Sequence, residues 1–166
     1  MNFIIAQILG TIGYSLLAYS FFKKNKKQIL FIQIFAYIGF TTHYILLGAL
    51  TGSVCNILGF IALIFIYFFS DDIRKKKILV IILVPLLGVM TYLSYENIYS
   101  LFPVVGCLLT FISFLSKNVN KIRFVGIIST ACWLIYAIIY VSYSAIIFEV
   151  VILISAVVAY IKNKKH

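Results

Sequence analysis

One acidic side chain lies within the long apolar stretches of this sequence. Glu149 occupies the run SAIIFEVVI, with no other charge nearby in the chain. An ionised side chain in the middle of a bilayer costs about 2.5–3.5 kcal/mol on insertion scales. The carboxyl must therefore face the interior of a helix bundle, be neutralised or contact water. It could couple transport to protons, bind a cationic or hydroxyl-rich solute, or serve as a buried hydrogen-bond partner between helices.

Three further residues bring polar or aromatic chemistry into apolar stretches: Asn56, His43 and Trp133. Asn56 offers both a donor and an acceptor, which suits a hydroxyl-bearing ligand but also suits a tie between two helices. His43 could relay protons near neutral pH. Trp133 could line a pocket, pack between helices or anchor a helix at the membrane interface. With Glu149 these are the candidate substrate-binding residues; we predict no catalytic residue, metal ligand or cofactor.

The composition indicates a membrane protein. The chain has 166 residues, of which 64% are hydrophobic and 11% charged, with a mean hydropathy of +1.13. Ordinary globular domains have roughly 45–50% apolar and about 25% charged residues. A soluble protein of this size could not shield so much apolar surface from water. These values exclude a disordered chain, a disulfide-stapled mini-protein and a conventional soluble enzyme, and no catalytic motif argues for a membrane enzyme.

Charge placement predicts the topology. Seven apolar helices are expected, at Phe3–Phe22, Gln28–Gly48, Gly52–Phe69, Ile78–Ser94, Tyr99–Ser116, Phe124–Tyr140 and Tyr143–Ile161. Every second break carries a basic cluster: residues 23–27, 74–77, 117–123 and 162–165. The breaks at 49–51, 95–98 and 141–142 contain no Lys or Arg. Because short basic loops stay cytoplasmic, we expect the N-terminus outside and the C-terminus in the cytoplasm. The net charge of +10 then faces anionic lipid headgroups rather than nucleic acid.

The chain contains an internal duplication. Shifting the sequence by 93 positions, as from Asn25 to Asn118, aligns its two halves without a gap and pairs Gly13 with the identical Gly106. The same shift pairs Asn56 with Glu149, and basic and uncharged breaks stay in phase. We therefore expect an all-α protein of seven transmembrane helices. Its units are a three-helix repeat at 1–69, a basic loop and linker helix at 70–98, and a second repeat with a basic tail at 99–166. The linker helix makes the two repeats parallel.

Several short motifs carry a family resemblance: Gln7-x-x-Gly10, Lys26-Lys27-Gln28, HYILLGA at 43–49, Thr51-Gly52 with Asn56, and Trp133 followed by Glu149. With these, nearly the whole chain resembles the YgjV-type inner-membrane proteins of bacteria. The 3+1+3 plan is similar to that of the SWEET sugar transporters and their PQ-loop relatives. The chain departs from that pattern, because it has no Pro-Gln dipeptide and its prolines are Pro85 and Pro103.

The SWEET-like resemblance implies a central cavity with paired substrate-binding positions and an aromatic ring that stacks on a sugar. Asn56 and Glu149 would occupy the paired positions, and Trp133 would supply the ring. The predicted function is therefore transport of a small polar solute by alternating access, in a multi-pass protein of the bacterial inner membrane. The alternative is a binding, assembly or receptor-like protein of the same fold. Expected partners are the lipid bilayer, a solute, a proton and a second copy of the chain, but no nucleic acid.

Overall fold

Seven α-helices form the part of the chain that a computed structural model describes, namely residues 2–20, 22–23, 25–69, 72–116 and 118–164. The helices are α1 Asn2–Ser20, α2 Lys26–Leu46, α3 Leu50–Phe69, α4 Ile73–Ser94, α5 Leu101–Ser113, α6 Val119–Ile139 and α7 Tyr143–Lys164. These described ranges contain no β-strand. The all-α prediction of seven helices is confirmed. Lys24, Lys117 and Lys165, which belong to the predicted basic clusters, lie outside the described residues.

The helices α2, α4 and α6 begin earlier than predicted and include basic residues that we expected in loops. Each start is capped by a polar side chain that accepts hydrogen bonds from otherwise unpaired backbone N–H groups. Asn25 accepts from the N–H of Lys27, and Asn118 accepts from those of Asn120 and Lys121. Asp72 accepts from the N–H groups of Arg74 and Lys75. These hydrogen bonds, first that of Arg74, lower the pKa of the Asp72 carboxyl.

The helix α5 is shorter than the predicted stretch Tyr99–Ser116. A 3₁₀ turn at Ile98–Ser100 precedes it, and this turn is fixed by a reciprocal capping box between Asn97 and Ser100. Five helices, α1 to α4 and α6, are long and apolar enough to cross a membrane within their described residues. The stretches Ile98–Ser113 and Tyr143–Val158 are apolar but shorter.

Six of the helices follow one another in a closed ring. Helix α1 packs on α2 and α2 on α3, while α5 packs on α6 and α6 on α7. Two further contacts close the ring, between α1 and α7 and between α3 and α5. We call these the α1–α7 seam and the α3–α5 seam. Helix α4 stands outside the ring against α3 and α5.

The two ends of the bundle differ in charge. The basic clusters lie where α1 ends and α2 begins, in the first turns of α4 and α6, and in the last turn of α7, so they gather at one end, which we call the basic end. The opposite end holds the breaks at 47–49, 95–97 and 140–142, whose sequences lack Lys and Arg; we call it the lysine-free end. Large apolar side chains such as Leu93, at 72% exposure, cover the outer surface. Such a surface needs a bilayer rather than water around it.

Candidate functional site

A cavity of about 300 Å³ lies inside the ring. Every ring helix contributes to its wall: Tyr14 from α1, Tyr44 from α2, Asn56 from α3, Thr110 from α5, Trp133 from α6 and Glu149 from α7. Helix α4 contributes none of the described lining residues. Three of the four candidate residues, Asn56, Trp133 and Glu149, therefore line one cavity.

Glu149 is the acidic group of this cavity. It lies in the second turn of α7 and is 9% exposed. The Tyr14 hydroxyl of α1 donates to its Oε1 atom over 3.1 Å. The Tyr14 ring is in turn stacked on Phe148, with ring centroids 5.2 Å apart. The carboxyl is thus held across the α1–α7 seam while it remains part of the cavity wall.

Asn56 lies in the second turn of α3 and is 5% exposed. Its side-chain amide donates to the Gly52 carbonyl of its own helix over 2.9 Å. The N–H of Gly52 in turn donates to the Tyr136 hydroxyl over 3.0 Å. The hydrogen bond of Asn56 therefore stays within α3 and leaves the side chain beside the cavity instead of tying two helices together.

Two of the aromatic rings of the cavity wall, those of Trp133 and Phe40, are seated in the same way. A Cβ atom added to Gly106 would lie 2.9 Å from the Trp133 indole nitrogen and 3.3 Å from the Ser129 carbonyl oxygen. A Cβ atom on Gly13 would lie 3.0 Å from the Phe40 ring and 3.1 Å from the Ala36 carbonyl oxygen. Gly13 on α1 thus lets α2 approach closely, and Gly106 on α5 does the same for α6. Each approaching helix carries an aromatic ring to the cavity.

His43 lies apart from the other three candidates. It is fully buried, and its two ring nitrogens contact the Ala6 carbonyl oxygen and the Ser142 hydroxyl, each at 2.6 Å. The Ser142 hydroxyl also accepts from the N–H of Ala145 in the first turn of α7. His43 therefore joins α1, α2 and the start of α7 at the lysine-free end, and it is not among the described residues of the cavity wall.

The lysine-free end is sealed by buried polar side chains. His43, Tyr44, Thr51, Ser100, Tyr136 and Ser142 are all less than 2% exposed. Thr51 donates to the Ser94 carbonyl over 2.6 Å, and Gln7 donates to the Val141 carbonyl over 3.0 Å. By contrast, the cavity wall reaches Leu17 and Phe114 near the basic ends of α1 and α5. The cavity therefore extends from the sealed layer towards the basic end.

Tyr44 is a cavity residue that the sequence analysis did not single out as a site candidate. It is 1% exposed, and its hydroxyl forms no well-directed hydrogen bond with a described residue, although the side chains of Tyr14 and Ser142 lie beside it. A spacing signal could have found it, because Gln33, Tyr37, Phe40 and Tyr44 follow one another at helical intervals and all line the cavity. The unpaired hydroxyl is a group that a bound solute could satisfy.

Metal-binding groups are sparse within the described ranges. There, no three His, Cys, Asp or Glu side chains come close enough together to hold a metal ion. Cys55 and Cys107 lie side by side across the α3–α5 seam, where the Cys107 thiol contacts the Cys55 carbonyl oxygen at 3.7 Å. Both are free cysteines packed in an apolar cluster.

Apolar spanning helices around a small, partly polar cavity define a polytopic helical membrane protein. The Imp-YgjV family model, described as bacterial inner membrane protein, matches residues 4–166. The chain therefore belongs to the Imp-YgjV family of bacterial inner membrane proteins, which confirms the family resemblance of its motifs. No curated protein and no solved structure matches the chain.

Proposed function

We propose that this Imp-YgjV protein carries a small polar solute across the inner membrane by alternating access around the central cavity. The acceptors and donors of the wall suit a sugar-like or other hydroxyl-bearing metabolite. The cavity volume of about 300 Å³ lies at the lower limit of small-molecule sites, which typically measure about 300–1,000 Å³.

The single observation that carries this proposal is a pair of polar groups inside the membrane ring. Glu149 supplies a carboxyl, and Tyr44 supplies a hydroxyl that forms no well-directed hydrogen bond with a described residue; both side chains line the same cavity. A buried polar group without a partner costs about 1–3 kcal/mol, so its retention favours a ligand that pairs with it.

The helix bounds support a 3+1+3 plan for this transporter. A shift of 93 residues carries Lys26–Leu46 onto Val119–Ile139, the bounds of α2 and α6. It also carries Leu50, the first residue of α3, onto Tyr143, the first residue of α7. In this plan α1–α3 and α5–α7 are parallel repeats, and α4 restores the orientation of the second.

The cavity wall supports the same plan. Four pairs of residues related by the shift of 93 line the cavity with both members: Leu17 and Thr110, Tyr37 and Thr130, Phe40 and Trp133, and Asn56 and Glu149. A cavity on the axis between two repeats would be lined in this paired way. Rocking of α1–α3 against α5–α7 at the seams would then open one end of the cavity and close the other, with the basic end in the cytoplasm.

The first test measures the thermal stability of the detergent-solubilised protein with a library of sugars, polyols, amino acids and cations at two pH values. A solute at 100 times its Kd adds about 2.7 kcal/mol to the folded state. We expect a selective rise in Tm for the wild type that Glu149→Gln and Tyr44→Phe lose. Glu96→Gln is the matched control, because Glu96 is an exposed acid at the lysine-free end and the amide oxygen of Gln can still accept from the Tyr140 hydroxyl and the Thr51 N–H.

Flux of the selected solute into proteoliposomes completes the test. Uptake by the wild type and the Glu96→Gln control, but not by Glu149→Gln, would support transport. A solute that binds but never crosses, or no stabilising solute at all, would contradict transport and favour the alternative of a binding or assembly protein.

A further inference from the structure

A second cavity opens on the flank of the ring, at the α1–α7 seam. Its volume is about 620 Å³, and its wall is formed mostly by apolar side chains such as Leu17, Ala18, Phe148 and Val151. Val151 is 56% exposed, so the cavity lies at the surface that faces the bilayer. Leu17 and Ala18 belong to the last turn of α1, which places the cavity in the half of the seam nearer the basic end. We call it the lateral cavity.

The α3–α5 seam shows what such a seam looks like when protein covers it. There the α4 side chains Leu83 and Leu87 are each 2% exposed and belong to the same apolar cluster as Leu58 of α3 and Phe111 of α5. Among the described residues no eighth helix plays this part at the α1–α7 seam. In a bilayer, the material that meets the lateral cavity is therefore the hydrocarbon of lipid tails.

Arg123 gives the lateral cavity a preference for one kind of lipid. It is the charged residue of the described lining, it is half-buried, and it comes from the first turns of α6 at the basic end. A guanidinium matches the geometry of phosphate oxygens, and basic pockets between membrane helices bind the headgroups of anionic lipids. An apolar slot with an Arg towards the basic end can take one acyl chain of a phospholipid and offer a cation to its phosphate.

We propose that the lateral cavity is a binding site for an anionic phospholipid, with an acyl chain between α1 and α7 and its phosphate at Arg123. This site is independent of any transported solute. It adjoins the central cavity, because Tyr14, Leu17 and Ile152 line both. A bound chain would hold Phe148 against the Tyr14 ring, and Tyr14 is the residue that donates to Glu149.

The test measures lipid retention by native mass spectrometry of the full chain, purified in detergent with equimolar phosphatidylglycerol and phosphatidylcholine. We expect the wild type to retain one phosphatidylglycerol in preference to phosphatidylcholine. Arg123→Gln should reduce that preference about tenfold, and Arg123→Lys should keep part of it. Arg74→Gln is the matched control, since Arg74 is an exposed Arg at the basic end on α4.

A second variant, Ala156→Phe, fills the lateral cavity and leaves Arg123 in place. It should release the lipid while the solute-induced rise in Tm persists, which separates this site from the central one. Equal retention of both lipids by the wild type, or unchanged retention in Arg123→Gln and Ala156→Phe, would overturn the proposal. So would a dimer that forms without lipid and is broken by Ala156→Phe, because a second copy would then occupy the seam.

Discussion

The two seams that close the ring differ in the contacts that hold their helices together. At the α3–α5 seam the contact is apolar, with Cys55 and Cys107 packed beside Leu58 and covered by α4. At the α1–α7 seam hydrogen bonds are added to apolar packing: Gln7 and Tyr14 of α1 bond to Val141, Ser144 and Glu149 of the α6–α7 region, and Tyr14 also stacks on Phe148. The shift of 93 residues pairs Tyr14 with Cys107 and Asn56 with Glu149, so corresponding positions carry different side-chain chemistry.

In the proposed alternating-access cycle, this difference predicts which seam opens. Apolar packing loses contact energy as soon as the α3–α5 seam separates, and α4 would have to move with it. The α1–α7 seam combines the hydrogen bonds of Gln7 and Tyr14 with packing of the Tyr14 ring on Phe148, and it gives way to the lateral cavity near the basic end. We therefore expect the α3–α5 seam to act as the hinge and the α1–α7 seam as the moving contact.

The largest effect is expected from adding a side chain at Gly10, where the lack of one lets α1 approach its neighbours closely. A Cβ atom on Gly10 would collide with the Ser144 hydroxyl and lie 2.8 Å from Nδ1 of His43, a ring held by two hydrogen bonds. Gly10→Ala should therefore lower the free energy of unfolding by about 2–3 kcal/mol. Gly88 on α4 has nothing within 4 Å, so Gly88→Ala should raise stability by up to about 1 kcal/mol.

The measurement is thermal unfolding of both variants in one detergent. Because each variant replaces a helical glycine by alanine, the gain from helix propensity is common to both. Equal stability of Gly10→Ala and Gly88→Ala would show that the α1–α7 contact is looser than described.

A smaller effect is expected at the hydrogen bond between Tyr14 and Glu149. Tyr14→Phe removes the donor and leaves a buried carboxyl with one partner fewer, which should cost about 1–2 kcal/mol. Tyr44→Phe is the matched control, because the Tyr44 hydroxyl lies beside Tyr14 and Ser142 but forms no well-directed hydrogen bond with a described residue. It should change the stability of the solute-free protein little.

Chemical denaturation of the two variants distinguishes these cases. If Tyr14→Phe were as stable as the wild type, the polar contact would contribute nothing to the α1–α7 seam. The comparison between the seams would then rest on packing alone.

The smallest effect is expected at the two breaks that precede helices α3 and α7. Gly48 and Val141 occupy corresponding positions, and both have a positive φ, of 74° and 52° respectively. Glycine adopts this conformation freely, whereas other L-residues lose about 1–2 kcal/mol in it. Val141→Gly should therefore raise stability by about 1 kcal/mol, and Gly48→Ala should lower it by about 1 kcal/mol.

Thermal unfolding of these two variants, alone and combined, checks the assignment. Gly48 has no atom within 4 Å of an added Cβ, so a loss of stability in Gly48→Ala would report the backbone alone. Loss of stability in Val141→Gly would mean that the valine side chain contributes more than its conformation costs.

Much of the architecture followed from the sequence because bilayer energetics leave few choices. Apolar runs must form helices that satisfy their own backbone, and basic clusters must stay outside the hydrocarbon, so seven helices could be predicted. Asn56, Trp133 and Glu149 could be singled out because polar and large aromatic side chains are conspicuous in such runs. That these residues meet in one cavity could be predicted only with the help of the internal duplication.

Other features depended on three-dimensional contacts that no pattern records. The partnership of Tyr14 with Glu149 joins residues from the two ends of the chain, and the chain has 12 tyrosines from which to choose. The remote position of His43 follows from how α1 crosses α2, which places Ala6 beside it. The early starts of α2, α4 and α6 could have been predicted from Asn25, Asp72 and Asn118, which are residues that favour N-caps.

The positive φ of Val141 also affects the equilibrium between the sealed arrangement of the lysine-free end and any arrangement in which this break is relaxed. A cost of about 1–2 kcal/mol at one residue corresponds to a factor of about 5 to 30 in an equilibrium. Any arrangement in which the α6–α7 break returned to ordinary backbone would gain that factor over the sealed one. The hydrogen bond from Gln7 to the Val141 carbonyl and the contact of His43 with Ser142 must together outweigh it. A ligand that binds an arrangement with ordinary backbone at this break would have that factor in its favour.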